Sequence, residues 1–144
     1  FELNDINEIL VYIDGADEVD KDKNLMKCVW AAHTREKIVA AAARDFICIV
    51  DKSKIVNKLG DFPLPVEVIP ESRSLVARRI LALGGIPELR VGVTTDQGNE
   101  ILDVKGLDLS NPKDIELKLN SFAGVVDNGI FSFQKPSLVL ISEV

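Results

Sequence analysis

The sequence predicts an α/β chain, a parallel sheet with an α+β lobe inserted into it. Three observations predict it. Two continuous apolar runs, residues 9–13 (ILVYI) and 46–50 (FICIV), flank an alanine-rich helical stretch, and both runs end in charged residues. Strand, loop, helix and strand at that spacing make a βαβ unit, with parallel strands buried on both faces. After the turn-rich joint at residues 60–65 (GDFPLP) the pattern changes to strand, helix, hairpin, helix, strand. That order, βαββαβ, is the split βαβ or ferredoxin-like lobe. Residues 137–141 (SLVLI) then read as a buried strand that returns to the first sheet. The expected division is a Rossmann-like portion over residues 1–63 and 135–144 and a ferredoxin-like lobe over 64–134.

Each element has its own signal. Residues 1–8 lead into the first strand, and an acidic loop follows over 14–23. A helix begins between residues 29 and 34 and runs to about Arg44. Thr34 is its candidate cap, and Glu36 falls in the first turn, where the helix dipole favours a negative charge. The alanines at 40–43 add helix propensity and a thin face for packing on a sheet. In the lobe, residues 66–69 read as a strand. Residues 72–83 read as a helix, with Val76, Ile80 and Leu83 on one stripe and Gly84-Gly85 as its stop. Leu89, Val91 and Val93 alternate with other residues, turn at 96–99 and pair with 101–104 as a hairpin. Asn111-Pro112 opens a helix that carries Ile115, Leu119 and Phe122, and Gly124 closes it. Residues 125–133 complete the lobe as a strand.

Composition bounds the function. The 144 residues carry a net charge of −6, with 47% hydrophobic and 28% charged residues. An acidic chain lacks the basic stripe of a nucleic-acid binder. An anionic substrate therefore needs a local cationic pocket. Two cysteines, Cys28 and Cys48, make no disulfide framework, and a cytoplasmic setting is expected. No apolar run approaches the ~20 residues that span a bilayer. No signal-peptide pattern is present, and a chain that opens on Phe1 reads as a piece with a segment upstream.

Chemistry concentrates at one expected sheet edge. The first strand ends in Asp14-Gly15-Ala16-Asp17-Glu18, where Gly15 is expected to let the chain turn sharply. Ligands of open α/β sheets sit at the carboxyl ends of the strands. Asp14 and Asp17 read as paired carboxylates there, or else as an Asx-type turn. Glu36 is a candidate general base, and Lys27 a cation for developing oxyanion charge. Lys54 follows the second strand at the same edge and is placed in the site for that reason. Residues 20–24 (DKDKN) open like an EF-hand loop, but Leu25 stands where glycine is needed and Ala31 where a bidentate Glu is needed. They read as a solvated loop. His33, the only histidine, reads as a helix-start residue. Cys48 reads as core, and Cys28, beside Lys27, as a candidate accessible thiol without a role. No metal-ligand spacing, dinucleotide fingerprint or P-loop occurs.

At this point the chain resembles a known family, type A ribose-5-phosphate isomerase. The resemblance rests on DGADE (14–18), Met26-Lys27, AAxTREK (31–37), FICIVDKSK (46–54) and FPLPVEVIP (62–70), and it continues in LGG (83–85), VTTDQGNxILDV (93–104) and GVVDNGIF (124–131). It implies interconversion of ribose 5-phosphate and ribulose 5-phosphate in the non-oxidative pentose phosphate pathway, without a metal or organic cofactor. It implies Glu36 as the base that moves a proton between C1 and C2. Asp14, Asp17 and Lys27 then hold the sugar hydroxyls, help to open the ring and stabilise the ene-diolate. Gly15, Ala16 and the Cys28-Val29-Trp30 backbone complete the substrate contacts, with Lys54 as a substrate-binding lysine. A homo-oligomer, dimer or tetramer, is implied too. Two features depart from the family. Cys28-Val29-Trp30 stands where it carries three glycines, and side chains there are expected to crowd a ligand. Its upstream Thr/Ser-rich phosphate loop is not in these residues. The glycine replacement motivates an alternative, a non-catalytic sugar-phosphate-binding or sensor module on the same fold.

Overall fold

The computed structural model describes residues 2–143. Phe1 and Val144, the outer ends of the expected Rossmann-like portion, lie outside the described residues. In chain order the elements are β1 (Ile9–Asp14), β2 (Glu18–Val19), β3 (Leu25–Met26), α1 (His33–Ala42) and β4 (Ala43–Asp51). The lobe follows as β5 (Leu64–Val68), α2 (Arg73–Ala82), β6 (Ile86–Leu89), β7 (Glu100–Lys105), α3 (Pro112–Asn120) and β8 (Val125–Asn128). The chain ends in β9 (Ile130–Phe131) and β10 (Leu138–Ser142). Among the described residues no helix is long and apolar enough to cross a membrane.

Among the described residues three sheets result. The order β1-β4-β10 is parallel throughout, with Tyr12 beside Phe46 and Leu138 beside Ile47. The final strand therefore returns to the first sheet, as its apolar run suggests. The order β6-β7-β5-β8 is antiparallel throughout, which is the split βαβ arrangement. A small sheet, β2-β3-β9, joins two short strands between β1 and α1 to β9, which comes from within the stretch expected to form the lobe.

Two cores follow from the apolar patterns. Val66, Val68, Leu102 and Val104 on the antiparallel sheet pack with Val76 and Ile80 of α2 and Leu119 of α3. Each such side chain, fully buried, contributes roughly 1.5–3 kcal/mol. The second core joins Phe46, Cys48 and Val50 of β4 to Ala40 of α1 and Phe131 of β9. Phe46 stacks on Tyr12 at 5.1 Å and tilts against Phe131 at 6.5 Å.

Several expectations are corrected. The parallel strands are not buried on both faces. Register puts Phe46 and Cys48 on the face that carries the second core, while Ile13, Ile49, Leu138 and Leu140 on the other remain about half exposed. The hairpin strand lies earlier than the alternation suggests, at Ile86–Leu89, and Val91 is exposed beyond it. The stretch 125–133 is not one strand: it breaks at Gly129 into β8 and β9. Thr34 does not cap α1. The N-cap is Ala32, without a side-chain bond, and the Thr34 hydroxyl instead donates to the buried Glu67 carboxylate at 2.8 Å.

Candidate active site

A cavity of about 220 Å³ opens at the carboxyl end of β1, and Asp14, Gly15, Ala16, Asp17, Lys27 and Glu36 line it together with residues 28–33. Lys27 organises it. The side chain is buried, and its ammonium donates to Asp14 Oδ2 at 2.8 Å, Gly15 O at 2.6 Å and Glu36 Oε2 at 2.6 Å. Three donors thus meet three acceptors, two of them ionisable carboxylates. Buried charge is costly unless paired and hydrogen-bonded, and here it is both. The main chain of Lys27 is fixed as well, since its N–H donates to Gly129 O at 2.9 Å.

Each partner arrives on a defined element. Asp14 is the last residue of β1. Its Oδ1 accepts from Gly15 N at 2.8 Å, and its Oδ2 also accepts from the Tyr12 hydroxyl. Tyr12 reaches it because residues two apart share one face of a strand. Glu36 sits in the first turn of α1, as expected. The helix is pinned from behind by the next residue: the Lys37 ammonium donates to Glu116 Oε2, Asp127 Oδ1, Asn128 O and Ile130 O at 2.7–2.9 Å. A rigid helix start holds the Glu36 carboxylate over the cavity.

The two carboxylates separate in acidity. Burial alone raises Asp14, but hydrogen bonds from Lys27 and Tyr12 outweigh it and hold its pKa at about 2. For Glu36 burial is the larger effect and, with the Asp14 charge nearby, raises the pKa above its ordinary value against the pull of Lys27. Environments that push two acids apart give one fixed anion and one group poised to exchange a proton.

The acidic loop and the segment after Lys27 lock together. Asp17 Oδ2 accepts from Cys28 N at 2.6 Å and Val29 N at 3.3 Å. The backbone N–H groups that a glycine segment would offer to a ligand are here held by Asp17. The side chains expected to crowd the cavity do line it, but they are not packed into it: Val29 is half exposed and Trp30 is 84% exposed. The segment ends at Ala31 with φ 56°, a left-handed backbone that costs a non-glycine residue of order 1 kcal/mol. Gly15, by contrast, is not in the left-handed region, and a Cβ there would meet Ile49 O at an ordinary 3.5 Å.

Other sequence expectations fall differently. Lys54 is not among the residues that line the cavity; it lies in a 3₁₀ turn, Lys52–Lys54, opened by the Asp51 side chain. Cys28 is buried rather than accessible, and burial pushes its thiol well up. His33 starts α1 but is buried, its Nε2–H donating to Asp127 O at 3.3 Å, while Nδ1 has no hydrogen-bond partner among the described residues. Burial lowers its pKa to about 4, so the ring is neutral. Glu18 belongs to neither carboxylate pair; it is buried and accepts from Gly60 N and Asp61 N at 2.8 and 2.9 Å. Tyr12 was not anticipated, although its spacing from Asp14 on a strand is the signal that finds it. No group of three or more His, Cys, Asp or Glu with the geometry to hold a metal occurs among the described residues.

Comparison with known proteins places this arrangement. The chain is 54% identical over 142 residues to the ribose-5-phosphate isomerase A of Haemophilus influenzae (strain 86-028NP), a match that covers 98% of this chain and 65% of that protein. The crystal structure of ribose 5-phosphate isomerase A from Neisseria gonorrhoeae superimposes with a TM-score of 0.95 at 48% identity, covering 98% of this chain and 63% of that one. A D-ribose-5-phosphate isomerase solved in complex with phospho-erythronic acid gives a TM-score of 0.91 at 38% identity, covering 98% and 65%. The chain thus spans a little under two thirds of the length of these relatives. Residues 1–143 match the family model described as ribose 5-phosphate isomerase A (phosphoriboisomerase A), and the chain belongs to that family.

Proposed function

We propose that this chain carries the proton-transfer site of an aldose–ketose isomerase that interconverts ribose 5-phosphate and ribulose 5-phosphate. The observation that carries the reading is the triad at Lys27, one ammonium bound to Asp14 and to Glu36 at 2.8 and 2.6 Å at the mouth of one cavity. Isomerisation moves a proton between adjacent carbons, so one base must reach both. Glu36, on a fixed helix and with its pKa raised above its ordinary value by burial, suits that task. Ionised Glu36 takes the proton from C2 of the open-chain aldose. Negative charge then develops on the carbonyl oxygen at C1, where the Lys27 ammonium stabilises it. The C2 hydroxyl gives up its proton to the C1 oxygen and becomes the carbonyl, while Glu36 returns the carbon proton to C1, so that no net proton is gained or lost. Asp14, ionised at neutral pH, holds Lys27 in place and accepts from a sugar hydroxyl; Asp17 accepts from another through the oxygen not bound to the loop.

The same reading assigns residues 1–63 and 135–144 to the catalytic portion and 64–134 to a separate lobe. Lys54, in the turn after β4, contacts substrate from beyond the cavity lining, and the working protein is a cytoplasmic homo-oligomer. The relative bound to phospho-erythronic acid supports a sugar-phosphate-like ligand. The high exposure of Trp30 weighs against the crowding that motivates a non-catalytic sensor. Glu36→Gln keeps the shape and removes the base. Turnover is expected to fall at least 100-fold, in the range general-base catalysis supplies. Near-normal turnover would refute Glu36 as the base.

A further inference from the structure

The segment after Lys27 is gripped from two sides. Its N–H groups, at Cys28 and Val29, go to Asp17 of the acidic loop. Its carbonyls go to Arg90, which follows β6 on the antiparallel sheet: Nη2 donates to Cys28 O at 2.8 Å and Nη1 to Val29 O at 3.1 Å. The guanidinium is itself locked by Asp103 of β7 through a two-point fork, Nε to Oδ2 at 2.8 Å and Nη2 to Oδ1 at 2.6 Å. Arg90 also continues the sheet, its N–H donating to Ile101 O at 2.9 Å. Charge-assisted two-point pairs are the strong and geometrically specific hydrogen bonds, and a rigid planar fork loses little freedom in forming them.

We propose that Arg90, locked by Asp103, is a positioning residue for the site: it holds the Cys28–Val29 peptides so that they in turn hold the Asp17 carboxylate in the cavity and keep Lys27 in register. The proposal rests on the isomerase reading for its effect on turnover, but not for its effect on the loop. Among the described residues the side-chain partners of Arg90 are Asp103 and the Cys28 and Val29 carbonyls, none of them a catalytic group. Arg90 acts through two carbonyls, and no lysine offers the same four-way geometry from one planar group.

Trp30, the only tryptophan of the sequence, sits next to the gripped peptides and reports on them without substrate. In the full chain, Arg90→Lys is expected to lower the fluorescence anisotropy of Trp30. It is also expected to lower kcat on the order of 10- to 100-fold, the penalty of displacing a catalytic constellation by about 1 Å. Asp103→Asn keeps the guanidinium and removes only its lock; it should shift both readouts the same way to a smaller extent, and it carries the test if Arg90→Lys does not fold. Unchanged anisotropy overturns the proposal, as does a loosened Trp30 with unchanged kcat. If the unaltered protein shows no isomerisation, the proposed function fails instead. Affinity for ribose 5-phosphate, read from Trp30 emission, then decides: weaker binding by Arg90→Lys upholds the positioning role and equal binding overturns it.

Discussion

Gly129 carries a sharp steric prediction. It separates β8 from β9 and accepts the Lys27 N–H at 2.9 Å. A Cβ built there would lie 2.5 Å from Lys27 O and 2.8 Å from two ring carbons of Pro65. Ordinary contact begins near 3.4 Å, so the Lys27 backbone must retreat by roughly 0.9 Å. Neither neighbour is the free end of a flexible side chain. Gly129→Ala therefore shifts the strand that delivers the cation or strains the sheet that holds it. Overpacking of this kind costs about 1–3 kcal/mol. A displacement near 1 Å of a catalytic group costs up to about 100-fold in rate. Urea unfolding reads the first through a lower midpoint at unchanged slope, and steady-state turnover reads the second. A Gly129→Ala protein with the original midpoint and full turnover would refute the close-approach argument.

Further outcomes follow from the acidities. With the Glu36 pKa raised, turnover should climb with pH through a limb above the ordinary carboxylate range, and Tyr12→Phe, which removes a hydrogen bond from Asp14, should displace that limb. A pH–rate profile flat down to the ordinary Glu range would contradict the assignment. The Asp14 pKa is depressed from 3.8 to about 2, so the unfolded chain binds the proton first as pH falls. Asp14 thus contributes stability that is present above pH ~3.8 and lost on acidification toward 2, and in acid titration Asp14→Asn should remove that portion of the slope. The His33 pKa is depressed from 6.5 to about 4, so its contribution is present above 6.5 and lost as pH falls through that window. A shift of that size corresponds to about 3 kcal/mol. His33→Leu, which replaces a buried ring whose Nδ1 is unpaired, should flatten stability between pH 6.5 and 4, and an unaltered slope in calorimetry at stepped pH would count against it.

The sequence carried the βαβ unit and the lobe order because apolar runs and turn residues encode them locally. It also carried the cluster of Asp14, Asp17, Lys27 and Glu36, since three of these follow directly from the end of one strand and the start of one helix. What it could not carry depends on distant partners. The parallel strands read as buried because they are apolar on both faces, but their pattern does not say what covers each face. The hairpin strand was misplaced because Val91 and Val93 have the stronger β signal and Pro87 argues against a strand. As an edge strand, β6 tolerates the missing N–H. Thr34 has the chemistry of a cap, yet its hydroxyl is claimed by Glu67 across the fold. Arg90 was invisible for a plainer reason, since its partners in the loop are backbone carbonyls and no residue type marks them.

The pairing of β3 with β9 has a consequence for biosynthesis. Leu25 and Met26 face Phe131 and Ile130, and Lys27 leans on Gly129, so the cation's support is made from chain that leaves the ribosome long after the cation itself. A nascent chain halted within the lobe holds Asp14, Lys27 and Glu36 but not the rail that aligns them. Such long-range closure is slow relative to local helix formation. Competence should therefore appear abruptly during translation, once β9 docks on β3.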